Sequence, residues 1–170
     1  MDRFHRPDES PPDLPFSPER DFLDLPLRRA RARGRITMLS ATAARVAANE
    51  INKGDVLGTA RFAGVQAAKL ASSLLPLSHP VIVSKVSVDF IIGDTYIDVE
   101  ASVDGFDHSG VEMEALTTVT VTALTIYDMC KSADRTMMIG DVALWERSGG
   151  RQYPWHREMT PDETTIDEVQ

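Results

Sequence analysis

The chain has 170 residues, 42% of them hydrophobic and 26% charged, which suits one soluble globular domain long enough to build a real core. No apolar run is long enough to span a bilayer, and the Pro-rich start carries no apolar leader, so a cytoplasmic protein is expected. The single cysteine, Cys130, excludes an internal disulfide framework and a cysteine-rich metal site.

The net charge of −8 belongs to the ends. Residues 1–26 and 158–170 hold 12 acidic and 3 basic residues, whereas residues 27–157 hold 14 acidic and 15 basic. The body can therefore carry a basic patch for an anionic ligand. Six of the ten prolines fall in residues 1–26, which are expected to form a mobile or extended arm. Residues 27–157 are expected to form the single domain, and 158–170 an acidic, disordered tail.

Along the body, Ala32 to Leu39 is a short candidate strand and Ala41 to Ile51 an Ala-rich helix. Gly54 to Leu75 carries Val56, Ala60, Ala63, Ala67, Leu70 and Leu74 at helical spacing and ends before Pro76 and Pro80. In Val81 to Ile92, the residues Val86, Val88 and Phe90 alternate with polar ones, which is a strand pattern. Gly93-Asp94 is a two-residue hairpin signal, and Tyr96 to Val103 alternates again. Val111 to Lys131 has no helix breaker, and Met137 to Arg147 makes a final strand. Strand, helix, strand, strand, helix, strand, with one extra short helix, predicts an α+β fold. Its natural closure is a ferredoxin-like split βαβ plan, a mainly antiparallel sheet with helices on one face.

The helix from Val111 to Lys131 has ionisable groups at both ends. Glu114 and Asp128 would stand roughly 21 Å apart on it, too far for one small-molecule pocket. Lys53 and His79 bracket the preceding helix in the same way, about 30 Å apart. Either one end of each helix is structural, or each chain gives different ends to different sites. A two-fold pair of chains would then hold two equivalent sites.

Asp128 and Lys131, at i and i+3, read either as a surface ion pair or as a coupled acid and base, and spacing alone does not choose. Ser109 to Glu112 fits a capping box, which gives Glu112 a structural reading. Glu114 is not needed for that cap, although a carboxylate in a first helical turn is favoured by the helix dipole. His79 lies in a loop, where functional groups are commonly presented, but a lone histidine is more often a packing or hydrogen-bonding residue. No histidine pair has zinc-like spacing, so no metal centre is expected. Lys53-Gly54-Asp55 precedes a helix N-terminus without a Walker motif. Arg61 and Lys69 lie near one face of the helix that follows. Cys130, between Asp128 and Lys131, reads as packing.

Four motifs in collinear order, from about Arg28 to Gly150, resemble the molybdenum cofactor biosynthesis protein C family, the cyclic pyranopterin monophosphate synthases. They are Lys53-Gly54-Asp55 running on to Arg61 and Ala68-Lys69; Leu77-Ser78-His79-Pro80; Ser109-Gly110-Val111-Glu112-Met113-Glu114-Ala115-Leu116; and Tyr127-Asp128-Met129-Cys130-Lys131. The resemblance implies a phosphorus-oxygen lyase acting on a nucleotide-derived substrate, 3′,8-cyclo-7,8-dihydroguanosine 5′-triphosphate. It would yield cyclic pyranopterin monophosphate and pyrophosphate, an early step of molybdenum cofactor biosynthesis.

It also implies homohexamers, trimers of dimers, with active sites at a dimer interface. Asp128, Lys53 and Lys131 would be catalytic. Leu77, Ser78, His79, Met113 and Glu114 would contact substrate, with Glu112 and Arg28 beside them. Arg61 and Lys69 would join Lys53 and Lys131 in neutralising the pyrophosphate. Ring opening and pterin closure need several proton transfers, hence a carboxylate beside lysines. No resident cofactor is implied, although the triphosphate could bring magnesium. Neither a nucleic-acid nor a membrane partner is expected.

The pattern also departs from the family. Pro26 stands near the usual Thr of Thr-x-Arg, with no lysine before it, and Glu19 or Asp21 are the candidates for the acidic residue of the opening strand. Ser78 replaces a Cys, Leu70 an Arg and Ala71 a Thr, and the usual Gly-Gly-Lys-Ser-Gly is Gly149-Gly150-Arg151-Gln152-Tyr153. These changes motivate the alternative of a non-catalytic paralogue acting as a binding or co-assembling subunit.

Overall fold

The computed structural model of the protein describes residues 25–150 and 153–158. The expectations for residues 1–24 of the Pro-rich arm, for Arg151 and Gln152, and for the acidic end after Glu158 lie outside the described residues.

The order is β1 (Leu27–Thr37), α1 (Ser40–Ala47), α2 (Val56–Leu74), β2 (Ile82–Ile92), β3 (Tyr96–Phe106), α3 (Glu112–Cys130), β4 (Met138–Gly149) and β5 (Trp155–His156). The sheet runs β2-β3-β1-β4-β5 with every neighbouring pair antiparallel. This is the ferredoxin-like α+β plan, in which β3 inserts between β1 and β2, extended by the short edge strand β5.

β1 is longer than its hydrophobic end suggests. Ala30, Ala32, Gly34 and Ile36 face the core, while Arg29, Arg31, Arg33 and Arg35 form the other face. The core-facing residues are small because α3 crosses close above them. A Cβ on Gly34 would come within 2.7 Å of Val119 Cγ1. The core lies between this face, the inward residues Ile97, Val99, Ala101 and Val103 of β3, and Ala115, Val119 and Ile126 of α3.

On the far face the arginines are matched by acids on β3. Arg29 makes a bidentate pair with Asp104 (2.6 and 2.8 Å), as Arg35 does with Asp98, and Arg33 meets Glu100 at 2.6 Å. Arg33 also lies over the Trp145 ring and Arg35 over Tyr96.

α2 and α3 pack against each other through small residues. Gly64 sits against Thr118 and Thr122, where a Cβ would be 3.3 Å from the Thr118 carbonyl oxygen and would collide with the Thr122 hydroxyl. Because α2 is followed by β2 and β3 before the chain returns as α3, the loops at the two ends of α2 meet opposite ends of α3.

Three local expectations are corrected. The turn between β2 and β3 takes three residues, 93–95, closed by the Gly93 amide on the Tyr96 carbonyl (2.9 Å). α1 stops at Ala47, and the chain turns through Asn49 with φ of 56°. The capping box does not form, because α3 begins one residue after Val111, whose side chain makes no cap. Ser109 instead gives its amide to Asp107 Oδ1 (2.7 Å), and Glu112 turns to Arg147.

Candidate active site

At the C-terminal end of α3, Asp128 is clasped by two lysines. Lys53 comes from the loop before α2, where Gly54 takes a φ of 97° that suits glycine and Asp55 caps α2 by accepting the Gly58 amide at 2.8 Å. This delivers Lys53 Nζ to the Asp128 main-chain oxygen (2.8 Å) and to Oδ2 (3.2 Å). Lys131, one turn on, reaches Asp128 Oδ1 at 2.6 Å. Lys131 first and Lys53 second hold the Asp128 carboxyl below the ordinary carboxylate range. All three side chains are more than 40% exposed, so the cluster opens outward. The expected catalytic trio is thus assembled within one chain. Cys130 points the other way and is fully buried in the core.

The N-terminal end of α3 carries a second group. Glu114 is buried, and that burial pushes its carboxyl above the ordinary range; Glu112 and Asp107 push the same way. Glu112 folds over Gly110 and lies 3.4 Å from Arg147 of β4. His79, from the loop after α2, sets its Nε2 3.3 Å from Asp107 Oδ1. Buried Arg28 spends its guanidinium on main-chain oxygens, those of Asp107 (3.1 Å), Gly149 (2.7 Å) and His108. Leu77 is fully exposed, Ser78 half-buried and Met113 exposed beside this group.

The two groups do not meet. Fourteen residues of straight helix separate Glu114 from Asp128, about 21 Å. Arg61 joins neither of them, since its Nε donates to the Val88 carbonyl (2.9 Å) and its guanidinium lies over Phe90. Lys69 stands exposed farther along α2. Sequence reasoning passed over Asp107 and Arg147. Asp107 had a readable signal: Asp-x-Ser-Gly after a strand is an Asx-turn pattern, and the Ser109 amide on Oδ1 is that turn. Arg147 had none, because it lies far from Glu112 in the chain and meets it only through the sheet. Among the described residues no group of three or more His, Cys, Asp or Glu is placed to hold a metal ion, and no helix is long and apolar enough to cross a membrane.

Fold and site together define a ferredoxin-like α+β protein with a lysine–carboxylate acid–base cluster at one end of its central helix. A buried carboxylate near an imidazole stands at the other end. Comparison with known proteins makes this specific. The MoaC family model matches residues 24–150, and the chain belongs to that family. It is 51% identical over 127 residues to the cyclic pyranopterin monophosphate synthase of Roseiflexus sp. (strain RS-1), covering 74% of this chain and 80% of that protein. The synthase of the same name from Roseiflexus castenholzii is 49% identical over 130 residues, covering 75% and 82%. That from Geobacter metallireducens is 47% identical over 134 residues, covering 78% and 84%.

Proposed function

We propose that this chain is a cyclic pyranopterin monophosphate synthase. It is a lyase that rearranges 3′,8-cyclo-7,8-dihydroguanosine 5′-triphosphate into the cyclic pyranopterin monophosphate with release of pyrophosphate, early in molybdenum cofactor biosynthesis. The observation that carries this reading is the Asp128 carboxylate held between Lys53 and Lys131 in a chain about half identical to synthases of that name.

The geometry suits the chemistry. Ionised Asp128 fixes two ammonium groups side by side, where one can hold a phosphate oxygen while the other passes a proton to or from the opening ring. Two adjacent cations also favour the departure of a highly charged pyrophosphate. Glu114, shielded from water, keeps a proton more readily than an exposed carboxylate and can donate a hydrogen bond to a polar edge of the pterin. His79 offers a ring nitrogen beside it.

A single chain has these two groups at opposite ends of α3. The reading therefore includes a shared site, in which Asp128, Lys53 and Lys131 of one copy face His79, Glu114 and Met113 of a second. Six copies as a trimer of dimers satisfy this arrangement. No resident cofactor is needed, magnesium arrives with the triphosphate if at all, and the setting is cytoplasmic.

The test supplies purified protein with the cyclic nucleotide intermediate and follows pyrophosphate and pterin together. Wild type should form both, and Asp128→Ala neither, with the oligomer intact. A well-folded wild type that forms no product would transfer the reading to the non-catalytic paralogue.

A further inference from the structure

We propose that Asp107 is a positioning residue for His79: its carboxylate holds the imidazole with Nε2–H toward the protein and leaves Nδ1 as the proton-accepting atom offered to substrate. Nothing in the four family-like motifs includes Asp107. It sits one residue past the end of β3, in the loop leading to α3.

Its placement is fixed from several sides. Its amide reaches the Pro26 carbonyl (3.3 Å), and its own carbonyl accepts Arg28 Nε (3.1 Å). Its Oδ1 accepts the Ser109 amide at 2.7 Å. That same oxygen is 3.3 Å from His79 Nε2. The Asp107 side chain is 17% exposed and that of His79 57%, so a mounted carboxylate meets an imidazole otherwise free to turn.

The chemistry gives the direction of the contact. An ionised carboxylate only accepts hydrogen bonds, so Nε2 must donate. Burial works to raise the Asp107 carboxyl, but the Ser109 amide and then His79 outweigh it and keep the group ionised at neutral pH. In a neutral ring with Nε2 protonated, the remaining lone pair belongs to Nδ1. Among the described residues Nδ1 has no hydrogen-bond partner, and the Glu114 carboxyl lies near enough to feel the Asp107 charge. An N–H or O–H of the substrate is the group it would accept from. Arg28 completes the device by pinning the Asp107–His108 backbone to the end of β4.

This role rests on the synthase reading, and two measurements keep the two apart. In the kinetic one, Asp107→Ala and His79→Ala should each lower kcat, by up to roughly a hundredfold, and change KM far less. The double variant should lose no more than His79→Ala alone, because Asp107 acts through the ring. Asp107→Asn keeps an oxygen that accepts from both the Ser109 amide and Nε2–H, so it should recover most of the rate that Asp107→Ala loses. Additive losses in the double variant, or a kcat in Asp107→Asn as low as in Asp107→Ala, would overturn the proposal.

The second measurement is independent of turnover. Nitrogen shifts of the His79 ring, assigned by their absence in His79→Gln, should be widely separated in the wild type and closer together in Asp107→Ala as the tautomers mix. Equal separations in both proteins would also overturn it. A wild type with no synthase activity but with the expected nitrogen shifts would sink the synthase reading alone.

Discussion

Lys131 shows how a residue's charge and its chemistry come apart. Its 2.6 Å contact with Asp128 could be reproduced by an arginine, which keeps the positive charge but does not release its proton in a protein. Lys131→Arg is expected to leave the melting temperature unchanged and to reduce kcat by about a hundredfold or more if Lys131 moves a proton. Near-normal turnover would assign it to charge neutralisation alone.

Glu114 gives a pH signature. Its folded carboxyl takes up a proton at higher pH than the unfolded chain does, so stability is full below the unfolded value and falls as pH climbs through the raised one. Asp104 and Asp134 act oppositely. Both are held below the ordinary range, and each loses its contribution as pH falls. Comparing wild type with Glu114→Gln isolates the first effect, and the variant's melting temperature should gain on the wild type's as pH rises above the ordinary carboxylate range. Parallel curves would mean that the carboxyl is as well solvated as in the unfolded chain.

Among the elements, the α2–α3 contact decides whether both functional groups keep their positions. Gly64 allows the close approach, and Gly64→Val would push on Thr122 and on the Thr118 backbone. The expected cost is about 1–3 kcal/mol, read as a lower melting temperature, with activity falling at permissive temperature because both ends of α3 shift. An unchanged melting temperature would show that the helices separate without penalty.

The long elements were legible because their patterns are long. Helical spacing from Val56 to Leu74 and alternation in β2 and β3 survive errors at the ends. β1 was half-read because its inward residues are Ala30, Ala32 and Gly34, which carry little hydrophobic signal although the arginine alternation was plain. The Ser109–Glu112 cap failed for a different reason. Asp107 and Arg147, one local and one distant, claim the two groups the capping box needs. Asp128 with Lys131 was readable from spacing, whereas the approach of Lys53 depends on how α2 lies against α3 and on no local pattern.

At the scale of the whole molecule, the proposed sharing of each site between two copies predicts that defects in different groups can compensate. Glu114→Ala and Asp128→Ala, each inactive alone, should recover activity when co-expressed or exchanged. Random pairing of copies at a two-fold interface leaves roughly a quarter of the sites intact. No recovery in verified mixed oligomers would mean that each chain completes its own site.

The two-faced β1 has a further consequence. It pairs with β3 and β4, which arrive some 60 and 100 residues later, and no hairpin sets either alignment. A slip of one residue against α3 would press a row of guanidinium groups onto Val119 and leave Asp98, Glu100 and Asp104 without their counterions. The central strand is in effect a ruler for the sheet. Its arginines make wrong alignments far more costly than the native one, and so they help choose a single native pairing out of many conceivable ones.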